Sequence, residues 1–199
     1  ETQSDAAFAE RVTLSMTKVE EMRYGENPHQ GGTLYRGSSC GGEPCIAHCE
    51  VLHGKPMSYN NYMDGDAALE AVKELSGAPG VAIIKHTNPC GYATGATLAG
   101  AFEAAWAGDP VSSFGSVIAV TEKVDLETAE KLKGRFVEVL IAPDYAPDAF
   151  DFLEKKSKQI RLLKTHVPYV TAGPGMAVRQ VNGGLLVQDR DVELVSGRT

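Results

Sequence analysis

The chain has 199 residues, of which 43% are hydrophobic and 23% charged, with a net charge of −7; this is ordinary globular composition, enough for one sizeable domain or two small ones. No apolar run approaches the ~20 residues that span a bilayer, and the start, Glu-Thr-Gln-Ser-Asp, lacks the basic region and apolar core of a secretory signal, so a cytoplasmic location is expected. The acidic balance argues against broad nucleic-acid binding, which needs cationic surface to displace counterions, but it leaves room for a small anion held by a local Arg, Lys or helix N-terminus.

Residues 1–22 read as a lead-in, with Thr13–Glu21 an edge strand or linker. Arg23-Tyr24-Gly25-Glu26-Asn27-Pro28-His29-Gln30 is a polar loop whose dense functional side chains suit binding. Gly31–Pro44 is rich in Gly and Ser, with a short strand expected at Thr33–Tyr35, and Ile46–Leu52 reads as another strand. Ser58–Tyr62 is turn-like and leads to a helix from Asp64 to Leu75, capped by Asp64 or Asp66.

From there strands and helices alternate. Strand Val81–Lys85 precedes helix Leu98–Ala107 capped by Thr97, and strand Ser116–Val120 precedes helix Leu126–Lys133 capped by Asp125. Strand Phe136–Ala142, helix Pro147–Lys156 and strand Gln159–Leu163 follow, with Pro147 near the first helical turn. Residues 164–177 form a Gly/Pro loop, and Val178–Gln188 is a strand pair or bent strand around Asn182-Gly183-Gly184. This order predicts an α/β protein with a mainly parallel sheet covered by helices.

Val81–Ile84 is apolar throughout, as a strand covered on both faces requires, and it runs directly into Lys85-His86. The next residues, Thr87-Asn88-Pro89-Cys90-Gly91, read as a turn. Lys85 and His86 therefore stand at a strand mouth, where open α/β sheets bind ligands beyond the carboxyl ends of their strands. A neighbouring ammonium disfavours imidazolium, which suits His86 to act as a base, and Lys85 can stabilise an oxyanion. Arg23 offers a guanidinium fork for phosphate. Asp109–Gly115 is a small-residue link that lets backbone approach a ligand. Glu138 lies within an apolar strand and needs a partner if that strand is central, or none if it is an edge.

Cys40, Cys45 and Cys49 match no common zinc spacing, and free thiols are expected for all four cysteines, Cys90 included. His48-Cys49-Glu50 with Pro89-Cys90 resembles part of a zinc deaminase signature, but Ala93 stands where the second thiolate belongs. No metal ligand set is read from the sequence. Neither a Walker loop nor a Gly-x-Gly-x-x-Gly nor a Gly-x-Ser-x-Gly elbow is present.

Six stretches, in order, resemble one family. They are Arg23–Gln30, Ser58–Tyr62, Lys85–Gly91, Asp109–Gly115, Phe136–Pro143 and Asn182–Asp191. The family is the transformylase domain of the bifunctional purine-biosynthesis enzyme, aminoimidazole carboxamide ribonucleotide (AICAR) transformylase/IMP cyclohydrolase. The resemblance implies a three-layer α/β/α, cytidine-deaminase-like fold without zinc. It implies formyl transfer from formyl-tetrahydrofolate to the amine of AICAR, with no metal needed for catalysis. By the same resemblance His86 is the base and Lys85 the formyl-oxygen stabiliser. Arg23 and Tyr24 would hold the nucleotide, and Ser113, Phe114, Gly115 and Glu138 would line its base. Residues 23–199 would form the first transformylase subdomain, with the cyclohydrolase domain and second subdomain not encoded. A homodimer or a partner chain would then supply the second half-site.

Overall fold

The structure is a computed structural model that describes residues 8–38, 40–167, 169 and 175–192. In chain order its elements are β1 (Thr17–Met22), β2 (Gly32–Arg36), a 3-10 turn (Ile46–His48), β3 (Glu50–His53), α1 (Tyr59–Lys73), β4 (Gly80–Lys85) and β5 (Asn88–Thr94). They continue with α2 (Leu98–Gly108), β6 (Ser116–Val120), α3 (Leu126–Lys131), β7 (Val137–Ala142), α4 (Pro147–Lys156), β8 (Arg161–Lys164), β9 (Met176–Val181) and β10 (Gly184–Asp189). Of the expected Gly/Pro loop, residues 168 and 170–174 lie outside the described residues, as do residues 1–7 of the lead-in. Among the described residues no helix is long and apolar enough to cross a membrane.

The apolar runs form the centre of a six-stranded sheet of order β3-β8-β7-β6-β4-β5. Successive strand residues point to opposite faces, so each run feeds two cores. Ala82, Ile84, Val117 and Ala119 pack with Ala68, Leu69 and Val72 of α1. Val81, Ile83, Ile118 and Val120 pack with Phe102 and Trp106 of α2, Ala129 of α3 and Leu153 of α4. The result is three layers, one helix on one face and three on the other. Each fully buried Ile, Leu or Phe contributes about 1.5–3 kcal/mol.

The sheet is mixed rather than mainly parallel. β6–β7 and β7–β8 are parallel, whereas β3–β8, β4–β5 and β4–β6 are antiparallel. For both β4 pairs the cause is β5, which occupies the stretch read as a turn. Asn88-Pro89-Cys90-Gly91 does not end the strand layer but folds straight back along β4. α2 then carries the chain over β4, and β6 enters on its far side, antiparallel to it. Gly91 admits this arrangement, because a Cβ there would collide with the carbonyl oxygen of Ala105 in α2. Pro89 is tolerated because β5 is an edge strand.

α1 begins five residues before the expected Asp64. Ser58 and Asn61 form a capping box in which the Ser58 hydroxyl accepts from the Asn61 N–H (3.1 Å) and the Asn61 side chain accepts from the Ser58 N–H (3.1 Å). The polar stretch that looks like a turn is thus the first turn of the helix. Thr97 and Asp125 cap α2 and α3 as expected, and α4 spans Pro147–Lys156. The expected strand over Ile46–Leu52 divides into the 3-10 turn and the short β3. β9 and β10 form an antiparallel hairpin about Asn182-Gly183, where Gly183 has φ +80°.

Two small sheets lie outside the main one. β1 and β2 pair antiparallel around the 23–31 loop, so Thr17–Met22 is a strand that carries this loop. The β9–β10 end is tied to the body by Arg190, which binds Glu43 and, at 3.0 Å, Glu70.

Candidate functional site

Because β4 runs against β6 and β7, its carboxyl end meets their amino ends. The mouth that holds Lys85 therefore lies at the start of the parallel strands, not beyond their carboxyl ends. Five of the six stretches noted in the sequence meet along this rim, all but Asn182–Asp191.

β4 and β5 join through a two-residue turn, His86-Thr87, with Lys85 paired to Asn88. Both turn residues have positive φ, +52° and +59°. Such turns normally use Asn-Gly, and a β-branched residue there is strained by the clash of its Cβ with the backbone. Hydrogen bonds hold the tip. The Thr87 N–H donates to Asp64 Oδ1 of α1 (2.7 Å), and the Asn88 amide and Thr87 hydroxyl both donate to the His86 carbonyl (2.7 Å each). The backbone of His86 is clamped while its side chain stays exposed. Lys85 is half-buried and donates to the Phe114 carbonyl at 2.8 Å. Both residues line an open cleft of about 250 Å³ with Asn88, Cys90, Asp109 and Ser112. Hydrogen bonds from Ser112 hold the Asp109 carboxyl below its usual range, with Lys85 adding to the effect. Burial pushes the Cys90 thiol up.

The link into β6 turns on Gly115, whose φ is +76° and whose N–H donates to the Phe136 carbonyl (2.8 Å). This brings the rings of Phe114 and Phe136 to 5.1 Å. Phe114 is exposed, whereas Ser113 is fully buried, its hydroxyl without a hydrogen-bond partner among the described residues. The expected contact at Ser113 is thus turned inward, and it is Ser112 that faces the cleft.

Beyond Phe136 lies a second cavity of about 270 Å³, lined by Tyr24, Lys55, Ser58, Glu138 and Arg161 among others. β7 is central, so Glu138 needs a partner, and Arg161 at the start of β8 supplies it at 2.6 Å. The Arg161 Nε–H donates to the Pro56 carbonyl at 2.9 Å. Arg23 lines an adjoining cavity of about 510 Å³ that shares Tyr24, Lys55 and Arg161. Three cationic side chains therefore border this end of the rim, and Glu20 and Glu21 line the same cavity.

The 23–30 loop is self-supporting. Gly25 N–H donates to the Gln30 carbonyl (2.6 Å), and the Gln30 side chain accepts from the backbone and side chain of Asn27 (2.8 and 3.0 Å). It docks on α1 through Asn60, whose amide donates to the Glu26 carbonyl (3.4 Å). Glu26 and His86 share a small cleft of about 150 Å³. The loop thus spans the rim, with Tyr24 at the cationic cavity and Glu26 beside the His86 tip.

Arg161 and Lys55 were not singled out from the sequence. Arg161 had a signal: a lone charge in an apolar strand, as at Glu138, and the register places it next to Val139 of β7. Lys55 follows Gly54, whose φ is +104°, and carries no comparable mark. The deaminase-like residues are split: His48 and Cys49 precede β3 at one sheet edge, whereas Cys90 lies in β5 at the other.

Comparison with known proteins gives a consistent picture. A family described as AICARFT/IMPCHase bienzyme matches residues 1–199. The chain is 43% identical over 190 residues to the "Bifunctional purine biosynthesis protein PurH" of Persephonella marina, covering 96% of this chain and 36% of that protein. The identically named protein of Halalkalibacterium halodurans is 44% identical over 182 residues, 92% of this chain and 35% of its own length. That of Acidithiobacillus ferrooxidans is 42% identical over 184 residues, 92% and 34% respectively. The chain spans about a third of the length of these relatives. With a match along its whole length, the chain belongs to the AICARFT/IMPCHase bienzyme family.

Proposed function

We propose that this chain carries one wall of a formyltransferase site of purine biosynthesis, with AICAR as acceptor and formyl-tetrahydrofolate as donor. The observation that carries this reading is the rim itself: the Lys85-His86 tip and the Arg23/Tyr24/Lys55/Arg161 cavity lie at one end of one sheet, bridged by the 23–30 loop. A nucleotide has an anionic end and a flat base, and the rim offers cations for the first and Phe114, Gly115 and Glu138 for the second. Arg23 and Lys55 take the phosphate. Tyr24 borders both cavities and holds the nucleotide between them.

The acceptor amine is a poor nucleophile because its lone pair is delocalised into the ring and carboxamide. Its attack on the formyl carbon needs a base for the departing N–H proton, and His86, exposed on a clamped backbone, is placed for it. The formyl oxygen gains negative charge as the new C–N bond forms, and the Lys85 ammonium lies beside it. Lys85 now donates to the Phe114 carbonyl and has further protons to offer. Collapse breaks the bond to the folate nitrogen, which leaves as tetrahydrofolate once protonated. No metal takes part in these steps. The site acts in the cytoplasm, and a second copy or a partner chain closes its open side.

A turnover assay with AICAR and formyl-tetrahydrofolate tests this. Lys85→Ala and His86→Ala are each expected to lower kcat by about 100-fold or more, with AICAR affinity changed far less. Wild-type turnover in either variant overturns the roles of base and oxyanion stabiliser. The second reading, a nucleotide-binding module without catalysis, rests on the cationic cavity bordered by Arg23, Lys55 and Arg161 alone. It predicts AICAR binding by calorimetry, weakened by Arg161→Ala or Lys55→Ala, with no formyl transfer at any folate concentration.

A further inference from the structure

Away from the rim, the segment between β2 and β3 gathers soft donor atoms. Cys40, Cys45 and His48 each offer one ligand atom, and the three atoms lie within 4.8 Å of one another. His48 Nδ1 is 2.8 Å from the Cys40 sulfur and 3.2 Å from the Cys45 sulfur. All three residues are half-buried. Two local features bring them together. The Glu43 N–H donates to the Cys40 carbonyl (3.4 Å), reversing the chain, and the 3-10 turn returns His48 towards Cys45, its N–H donating to the Cys45 carbonyl (3.1 Å). Cys40 and Cys45 are joined to each other here, their Cα atoms 6.2 Å apart, against the expectation of free thiols. Cys49 and Cys90 are free.

A disulfide needs only its two sulfurs and does not explain an imidazole nitrogen aimed at both of them. We propose that, with the cysteines reduced, Cys40, Cys45 and His48 bind a zinc ion, with a solvent water as fourth ligand. Two thiolates and one imidazole are a soft set that suits zinc. Their spacing, four residues between the cysteines and two more before His48, keeps the site within one loop. Cys49 is not a ligand, because its thiol donates to the Cys45 carbonyl (3.5 Å) and its sulfur is not among the clustered donor atoms. Binding converts both thiols to thiolates, and the two protons pass to the buffer.

The role of the ion would be structural. None of the three ligands lines the clefts of the rim. The loop they fix supplies Glu43, which binds Lys73 at 2.9 Å and also Arg190. Lys73 is buried, with its side chain 1% exposed. The same loop leads to Ile46, packed against α1 where Gly65 leaves space for it. The ion would therefore hold in place one of the two counter-charges of a buried lysine, the other being Glu70 on the same helix.

The test uses the full chain, reduced and stripped of metal. Titration with Co²⁺ is expected to give thiolate-to-metal absorption that saturates at one equivalent and is displaced by Zn²⁺. Cys45→Ser and His48→Ala should lose affinity by more than the about 10–100-fold that removal of an outer-shell partner costs, while Cys49→Ser and Cys90→Ser keep wild-type uptake. Circular dichroism of each variant separates loss of a ligand from loss of the fold. A reduced, folded chain that takes up no stoichiometric metal, or one whose uptake survives Cys45→Ser, overturns the proposal and leaves a disulfide only.

Discussion

Glu138 and Arg161 show how one residue's placement constrains another. A carboxylate on a central strand has lost much of its water, so the guanidinium at 2.6 Å answers a cost as much as it forms a bond. Removing Arg161 leaves that cost unmet. Arg161→Ala is expected to destabilise the fold by about 1–3 kcal/mol, the magnitude for a polar group left without its partner, since the Glu138 side chain keeps 35% of its surface exposed, and Glu138→Gln in the same background should recover part of it in urea melts. Cys49 makes a second case. Burial pushes its thiol up to about 12, with Lys73 opposing only in part, so it stays protonated at neutral pH. Iodoacetamide at pH 8 should label it last among the reduced cysteines by mass spectrometry. The Glu138 partner was foreseeable from a charge within an apolar run. The inward turn of Ser113 was not, because adjacent serines look alike until the backbone conformation of the link is set.

Among the elements, the β4–β5 hairpin explains most of what the sequence hid. Asn88, Pro89 and Gly91 favour turns, yet the turn is one step earlier, at His86-Thr87, where the β-branched Thr87 is held at positive φ. Local preference lost to the pairing of β5 with β4 and to the close approach of α2 at Gly91. The strain sits where chemistry is proposed, as unusual backbone often does. Thr87→Gly should relieve it and raise stability by about 1 kcal/mol, measurable in thermal melts, while loosening the tip that presents His86. The helix starts were legible where a single Asp or Thr caps and hidden where Ser58 and Asn61 cap reciprocally. The strands β4, β6 and β7 were legible because buried strands carry no polar face.

Across the molecule, charge sets the acid limit. Burial raises the Glu43 carboxyl, but hydrogen bonds from Arg190 and Lys73 outweigh it and hold it low overall; Glu103 is held low by Arg135 and Asp144 by Lys164. Such groups stabilise the fold above their unfolded values and lose that contribution as pH falls through the lowered folded ones. Asp66, raised by burial and by Glu70, acts in the opposite sense. With Glu21 and Asp109 also lowered, five lowered carboxyls against one raised one predict that the melting temperature falls as pH drops below the ordinary glutamate value of 4.5, steeply in low salt. The layered α/β class was legible from alternation of strands and helices, but strand directions were not. Direction depends on which strand the chain returns to after α2, and no local pattern records that.

The sheet order has a consequence for assembly. Its two outer strands are β3, four residues long, and β5, which carries Pro89 and a break in register between Ile83 and Ile84 of its neighbour. Short edges, proline and bulges are what proteins use to stop a sheet from recruiting another chain. A second copy or companion polypeptide is thereby denied the sideways route of lengthening the sheet. If the proposed second wall is supplied by another chain, that chain cannot extend the sheet and would have to settle elsewhere, and the end of the sheet over the Lys85 and Tyr24 rim is the place where one contact would both complete the pocket and hold the assembly together.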